Sequence, residues 1–285
     1  ILSLQSTESY WEFCPGYVLE HDNDRSLCIR KYDAKQLQKK ELAFQTEIAN
    51  AIRNDENPEV AKEMLELRKK YFKLMKKSKK QRIWVSFDKL YKAGDNGEYM
   101  YHYLKSHPEL GITPYYIVNE GTPDYNRLVA AGENILATNS EECRLTCLQA
   151  EVLLATHTTI WRYCGFDAEE REYVKDLFHA KIVCIQHGLT VQKIAQYQNR
   201  LFDNTLFYCC ASKYEVENIL QPIFGYRPED VVLTGLARYD GLKNNDQKQI
   251  LITPTWRRDL VNTGIACEKK THNEHFKNSK YFHIY

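Results

Sequence analysis

From Ile83 onward, apolar runs of strand length alternate with segments of helical periodicity, and this alternation constrains the fold more than any other feature. Strands are predicted at 83–87, 115–118, 134–137, 152–155, 182–185, 206–210, 231–233 and 250–252. Helices are predicted between them, near 97–106, 124–131, 140–149, 169–178 and 212–221. Such alternation is typical of a parallel sheet covered by helices, so the sequence predicts an α/β fold.

The residues before this region have different patterns. Residues 1–35 contain two strand-like pieces, Tyr17–Leu19 and Leu27–Ile29, joined by a turn-rich stretch that predicts a hairpin. Because two strands alone rarely fold, we interpret residues 1–35 as the remnant of a preceding module or as a β flap. Residues 36–82 are predicted to be helical. An apolar stripe at helical spacing supports this, formed by Met64, Leu67, Tyr71 and Leu74.

A basic run lies at the end of this helical segment. Nine of the fifteen residues from 68 to 82 are Lys or Arg and none is acidic, although the whole chain has a formal net charge of only +1. A basic amphipathic helix fits an anionic membrane surface, and a solvated linker helix is an equally weighted interpretation. Nucleic acid is ranked lower, because few aromatic residues are interleaved with the basic ones. The predicted membrane-binding residues are Lys69, Lys70, Lys73, Lys76, Lys77, Lys79 and Lys80.

Composition excludes several classes of protein. The hydrophobic fraction of 43% and the charged fraction of 27% are ordinary for a globular protein. The nine cysteines have no paired spacing, so we expect a reducing cytoplasm and neither a disulfide framework nor a metal site. No apolar run approaches the length that a membrane-spanning helix needs.

Polar residues that directly follow strands are the first candidates for chemistry, because open α/β sheets bind ligands at the carboxyl ends of their strands. His187 and Gly188 follow the strand at 182–185. A histidine there can accept a hydroxyl proton, and a glycine allows a ligand or backbone to approach closely. A hydrogen-bonded structural histidine is the alternative, which position alone does not exclude.

Three further strand ends carry candidate residues. Arg238 and Asp240 follow the strand at 231–233, where a guanidinium group could bind phosphate or simply pair with Asp240. Thr255 and Arg257 follow the strand at 250–252 and suit an anion, although a surface turn with solvated arginines is an alternative. His157 follows the strand at 152–155, among threonines that favour a turn or a cap.

The glycine-rich segment after the first strand of the sheet, residues 92–98, lacks the spacing of a phosphate loop or a dinucleotide fingerprint. Asp95 or Asn96 is predicted to cap the following helix, with Glu98 in its first turn.

Taken together, five segments resemble the CDP-glycerol:poly(glycerophosphate) glycerophosphotransferase family. They occur in the family's order, cover roughly residues 82–260, and read RIWVSFDKLYKAGDNGEYMYHYL, KIVCIQHGLTVQKI, CCASKYEVENIL, VVLTGLARYD and ILITPTWRRDL. The resemblance implies a GT-B architecture of two Rossmann-like lobes that face each other across a cleft. It also implies transfer of glycerol phosphate from CDP-glycerol to a hydroxyl of a teichoic-acid-type polymer or its lipid-linked primer, with release of CMP.

The resemblance also implies roles for individual residues. His187 matches the histidine of the family's HG motif, a candidate base for the acceptor hydroxyl. Arg238 and Asp240 match a loop between the lobes, and Thr255 and Arg257 match the loop that opens the nucleotide-side lobe. No cofactor is expected, and CDP-glycerol takes part as the donor substrate; the sequence does not indicate whether a metal is required. The expected location is the cytoplasm, peripheral on the inner face of the cell membrane.

Two departures from the family pattern matter. Ala237 stands where the family usually has a proline, whose loss loosens the loop. The family's second histidine and the contacts to cytidine diphosphate would lie beyond Tyr285. We therefore expect a complete acceptor-side lobe at 83–244, the start of a truncated nucleotide-side lobe at 245–285, and little activity from this piece alone.

Alternatives remain open at this stage. Another GT-B glycosyltransferase that uses a nucleotide sugar would share the strand-end histidine and the basic loops, and CDP-ribitol is a close variant of the donor. A non-catalytic, membrane-associated module that binds the acceptor is a further possibility.

Overall fold

The structure, a computed structural model, describes residues 7–53, 58–77, 81–156, 160–189, 198–203, 205–244 and 248. The chain divides into two compact units, residues 1–242 and 243–285. The second unit falls almost wholly outside the described residues, as does the predicted strand at 250–252. The eight cysteines in the described ranges are all free thiols.

The first unit begins with a small antiparallel sheet that packs against two helices. Its strands are β1 (Tyr10–Cys14), β2 (Tyr17–His21) and β3 (Leu27–Lys31), in the order β1-β2-β3. The helices are α1 (Ala34–Ile52) and α2 (Glu59–Lys77). A separate core forms between sheet and helices from Tyr10, Val18, Phe44, Ile48 and Leu65. The two predicted strands lie within β2 and β3, and the third strand, β1, was missed.

Arg68, the first residue of the basic run, is not exposed. Its side chain is completely buried, and its guanidinium group bonds the carboxylates of Glu41 and Asp176, each with one contact of 2.6 Å. This ion network connects α2 to α1 and to the segment before the strand at Lys181–Cys184, which His187 follows. The first residue of the basic run is therefore part of the protein interior, where a buried charge requires such partners.

The larger sheet has seven strands, all parallel, in the order β10-β9-β8-β7-β4-β5-β6. The strands are β4 (Arg82–Phe87), β5 (Ile112–Val118), β6 (Ile135–Ala137), β7 (Val152–Ala155), β8 (Lys181–Cys184), β9 (Thr205–Cys210) and β10 (Val231–Leu233). Strands β5 and β6 follow in order on one side of β4, and strands β7 to β10 follow in order on its other side. This is the strand order of a doubly wound, Rossmann-like sheet, and it confirms seven predicted strands.

Helices connect the strands. They are α3 (Asn96–Ser106), α4 (Pro123–Ala130), α5 (Glu141–Gln149), α6 (Ile160–Tyr163), α7 (Ala168–Arg171), α8 (Arg200–Asp203) and α9 (Lys213–Ile219). The prediction of one helix at 169–178 is wrong. The segment forms the single turn α7, whose capping box joins Asp167 and Glu170, and then a 3₁₀ turn at Lys175–Leu177. Asp176 in that turn faces Arg68, so the ion network replaces a continuous helix.

The main core lies on one face of the larger sheet. Buried side chains from the middle strands, such as Val85 and Leu153, pack there against α5 and the α2 residues Met64, Leu67 and Tyr71. The predicted apolar stripe of α2 is thus confirmed for these three residues, whereas Leu74 is 39% exposed. Within the described residues, no helix is long and apolar enough to cross a bilayer.

Candidate functional site

The chain reverses its direction of winding between β4 and β7, which are neighbours in the sheet. In doubly wound sheets, ligands bind outside the carboxyl ends of the strands at such a switch point. Four segments meet there in this chain: the β4–α3 loop, the end of β7, the residues after β8, and the 3₁₀ turn Ala237–Gly241 that follows β10. We call this the switch-point site.

Asp88, the first residue after β4, organises one wall of the site. Its carboxylate is almost completely buried and accepts hydrogen bonds from the backbone N–H groups of Gly97 (2.7 Å), Glu98 (3.1 Å) and Asp95 (3.1 Å). The hydroxyl of Tyr116 donates a fourth bond, at 2.8 Å. Burial raises the pKa of Asp88 above its ordinary value, while these hydrogen bonds act in the opposite direction.

This arrangement has a consequence for ligand binding. The amino end of a helix that follows the first strand commonly binds the phosphates of nucleotides in doubly wound folds. Here the first-turn N–H groups of α3 are bonded to the carboxylates of Asp88 and Asp95. The carboxylates of Asp88 and Asp95 thus satisfy N–H groups of the kind that bind phosphate in other doubly wound folds.

Gly97 makes the close approach of α3 to β4 possible. A Cβ atom at this position would lie 2.6 Å from both Asp88 Oδ1 and the carbonyl oxygen of Phe87. Any larger residue would push the amino end of α3 away from the end of β4. Gly97 therefore has a packing role. Asp95, one of the two residues predicted as the cap, is the N-cap of α3.

Gln186 adopts an uncommon backbone conformation directly before His187. Its φ is +43°, in the left-handed region that side chains other than glycine rarely adopt, and the residue is buried. The side chain is held at both ends: Nε2 donates to the hydroxyl of Tyr208 at 2.7 Å, and Oε1 accepts from the N–H of His187 at 2.8 Å. Such backbone strain persists only where the surroundings fix it, and it clusters at functional sites.

His187 points its ring across the switch point. Its Nδ1 lies 3.2 Å from the carbonyl oxygen of Thr156, the first residue after β7. Because a carbonyl oxygen can only accept, this contact requires a proton on Nδ1 and leaves the basic lone pair of the neutral ring on Nε2. The residue is exposed, so solutes can reach it. Geometry and tautomer together suit a group that accepts a proton from a bound hydroxyl.

Arg238 reaches the same place from the turn after β10. Its Nη1 donates to the main-chain oxygen of His187 at 2.6 Å and also pairs with the carboxylate of Asp95. Its backbone N–H donates to Oδ1 of Asn96 at 3.0 Å. Among the described residues, Asp240 is exposed and does not pair with Arg238, so the alternative of a local Arg238–Asp240 pair is wrong. No described residue accepts from Nε or Nη2 of Arg238, which remain available to an anion.

The other predicted site residues have varied outcomes. At Gly188 an added Cβ would meet no described residue within 4 Å, so no described backbone packs closely against that side of it. His157, Thr255 and Arg257 lie outside the described residues. In the part of the chain that the structure describes, no three His, Cys, Asp or Glu side chains are grouped to hold a metal ion.

The predicted membrane-binding lysines also differ among themselves. Lys69 pairs with Glu66 at 2.7 Å, and Lys70 pairs with Glu141 at 2.5 Å. Lys73 and Lys76 are exposed on α2, and no ion pair with another described residue involves them. The side chain of Lys77 lies outside the described residues, as do Lys79 and Lys80.

Three residues of the site were missed as functional candidates. Asp88 directly follows a predicted strand, so the strand-end rule that selected His187 could also have found it. Gln186, which precedes His187, was not singled out, and Asn96 was predicted only as a possible cap. Nothing local in the sequence indicates the bond from Gln186 to Tyr208 or the bonds of Asn96, since these partners lie far away in the chain.

Two comparisons bear on this site. The sequence model of the CDP-glycerol:poly(glycerophosphate) glycerophosphotransferase family matches residues 68–282. The minor teichoic acid biosynthesis protein GgaB of Bacillus subtilis (strain 168) is 31% identical over 205 residues. That alignment covers 71% of this chain and 22% of GgaB, so the chain spans under a quarter of the length of this relative.

Proposed function

The chain belongs to the CDP-glycerol:poly(glycerophosphate) glycerophosphotransferase family, and from this premise we propose that it takes part in the transfer of glycerol phosphate from CDP-glycerol to a hydroxyl of a teichoic-acid-type polymer or its lipid-linked primer. The observation that supports this most is the meeting of His187 and Arg238 at the switch-point site. A base and a cation at one place are what an attack by a hydroxyl on a diphosphate requires.

The proposed reaction is an in-line displacement at phosphorus. The oxygen of a terminal glycerol hydroxyl forms a bond to the glycerol-bearing phosphorus of CDP-glycerol. The bond from that phosphorus to the bridging oxygen breaks, and its electron pair leaves with CMP. The hydroxyl proton passes to Nε2 of His187, the ring atom opposite the bond to Thr156. A general base contributes about 10²–10⁴-fold to such reactions.

Arg238 has a charge-balancing role in this proposal. Nη1 already bonds Asp95 and the main chain of His187, so the guanidinium group is fixed before a substrate binds. The remaining N–H groups would donate to phosphate oxygens that gain charge as CMP leaves. A cation held in place in this way loses little entropy on binding, which favours transition-state stabilisation. Asp240 would contact the substrate from the rim of the same turn.

We propose that the lobe at 83–244 binds the acceptor and that the donor nucleotide binds mainly to a second lobe, as in a GT-B enzyme. The carboxylate of Asp88 at the amino end of α3 supports this division, since it repels a diphosphate from the usual nucleotide position of a Rossmann-like lobe. Thr255 and Arg257, in the proposed lobe beginning near 245, would serve the donor side. His157 and Gly188 would line the acceptor side.

The proposed location is the cytoplasmic face of the membrane, where a lipid-linked acceptor is accessible. The residues proposed to contact anionic lipid are the exposed lysines of α2, represented by Lys73 and Lys76. The small sheet within 1–35 and the helices within 36–82 would form an accessory region that connects this surface to the lobe.

A comparison of three donors, each supplied separately, tests the proposed function. Full-length protein is incubated with a glycerophosphate acceptor and one of three donors: CDP-glycerol, CDP-ribitol or a UDP-sugar. The account predicts acceptor extension and one CMP per added unit with CDP-glycerol. Extension from a UDP-sugar with none from CDP-glycerol would instead indicate a glycosyltransferase. Extension by no donor, with the acceptor still bound, would indicate a non-catalytic binding module.

A further inference from the structure

Asn96 joins three segments of the switch-point site through one side chain. The residue is completely buried at the first position of α3. Its Nδ2 donates to the carbonyl oxygen of Ile185 at 3.1 Å and also to that of Gln186. Its Oδ1 accepts from the backbone N–H of Arg238 at 3.0 Å. A single amide group thus connects α3, the residues after β8 and the turn after β10.

The chemistry of an amide explains why these bonds need this side chain. Two carbonyl oxygens on one side require donors, and the N–H of Arg238 on the other side requires an acceptor. Among short side chains, only asparagine supplies two donors and an acceptor in one plane. An aspartate would place an oxygen against two carbonyl oxygens, and an alanine would leave buried polar groups unsatisfied.

We propose that Asn96 is the positioning residue of the site, which fixes the base His187 relative to the cation Arg238; this inference rests on the function proposed above for His187. Two of the three partners of Asn96 adjoin or carry those groups, since Gln186 directly precedes His187 and the third bond is to Arg238 itself. Asp88 fixes the amino end of α3, so Asn96 is itself held by a rigid support.

The strained conformation of Gln186 makes this support necessary. A residue at φ +43° relaxes toward ordinary backbone angles when its bonds are removed. The carbonyl group of Gln186 is held by Asn96 and its side chain by Tyr208. Loss of Asn96 would let the peptide between Gln186 and His187 rotate and would displace the imidazole. A displacement of about 1 Å at the reacting groups costs about 10²-fold in rate.

A double-mutant cycle on the full-length protein tests the proposal. We expect Asn96→Ala to lower kcat about 30- to 100-fold, while KM for CDP-glycerol stays within about threefold of the wild type. In a His187→Ala background, Asn96→Ala should lower kcat by less than about threefold, because its effect acts through His187. Asn134→Ala is the matched control. Its side-chain amide donates to the backbone oxygen of Pro114, near the amino end of β5 and away from the switch-point site. We therefore expect no change in kcat.

Asn96→Asp supplies a second readout if the alanine variant folds poorly. As a carboxylate it cannot donate to Gln186, but as a neutral acid it donates one bond. The ratio of its kcat to that of the wild type should therefore increase as the pH is lowered. Equal kcat for Asn96→Asp and the wild type at every pH would overturn the proposal, as would full additivity of Asn96→Ala with His187→Ala. An unchanged kcat in His187→Ala alone would instead contradict the proposed function.

Discussion

Arg238 donates a hydrogen bond of 2.6 Å to the main-chain oxygen of His187, although the two residues are 51 positions apart in the chain. Each residue follows a different strand of the parallel sheet, and the carboxyl ends of both strands lie on the same side of the sheet. The bond joins a cation to the backbone of a residue with a basic ring. It therefore couples the two groups that the proposed reaction needs.

The first prediction concerns Arg238. Replacing it with alanine removes a fixed cation and the bond to His187, so we expect kcat/KM for transfer to fall about 10- to 100-fold. Arg238→Lys should recover only part of the loss, because an ammonium group cannot bond Asp95, His187 and a phosphate in the same plane. Steady-state transfer rates with CDP-glycerol measure the effect.

Arg82→Ala is the matched control for Arg238. Arg82 is the first residue of β4 and so lies at the amino end of that strand, whereas the switch-point site lies at the carboxyl ends. It pairs with Glu151 at 2.9 Å. The Arg82→Ala variant loses an arginine and an arginine–carboxylate ion pair but keeps the switch-point site unchanged, so kcat/KM should stay at the wild-type value. An equal fall in both variants would show that Arg238 has no special role.

A second prediction concerns the contact between α3 and β4. In Gly97→Ala the added Cβ would overlap Asp88 Oδ1 and the backbone of Phe87, so we expect the free energy of unfolding to fall by about 1–3 kcal/mol. Gly188→Ala is the control for stability, since no described residue lies within 4 Å of its added Cβ. Urea denaturation measures both, and an unchanged midpoint for Gly97→Ala would contradict the packing described here.

Much of this fold could be predicted from the sequence, because apolar runs of strand length are a local signal. The strands from β4 to β10 follow directly from such runs. His187 was found by the same logic, since it closely follows one of these strands. Strand β1 was missed because it pairs with β2 across a turn at Gly16 and lacks clear alternation.

The rest of the site depended on contacts between distant residues. Asn96 lies 89 positions before Ile185 and 142 before Arg238, and no pattern within one segment indicates such bonds. The burial of Arg68 could not be predicted for a related reason. Arg68 resembles its lysine neighbours in sequence, yet two distant carboxylates make its burial possible.

A third prediction follows from this difference within the basic run. Arg68→Met leaves Glu41 and Asp176 buried without their cation, so we expect a loss of about 3–5 kcal/mol in the free energy of unfolding. Lys69→Met, one position later, removes an exposed pair with Glu66 and should leave the urea midpoint unchanged. Equal midpoints for the two variants would contradict the described network.

A fourth prediction tests the membrane surface. Replacing Lys73 and Lys76 with glutamine removes two exposed cations, each worth about 1 kcal/mol near an anionic surface, so vesicle binding should weaken about 10- to 30-fold. The charge-matched control replaces Lys35 and Lys39, which are exposed on α1. Co-sedimentation with vesicles of anionic phospholipid measures both. Equal weakening by both pairs would show that charge alone acts, without a defined surface on α2.

The most direct test of the account is the single-turnover rate of glycerol phosphate transfer by His187→Ala in the full-length protein, with saturating CDP-glycerol and acceptor. We expect a fall of about 10²–10⁴-fold, which is the contribution of a general base to such a reaction. His107→Ala, which changes a half-buried histidine at the carboxyl end of α3, should leave the rate unchanged. A wild-type rate in His187→Ala would contradict the assignment of His187 as the base.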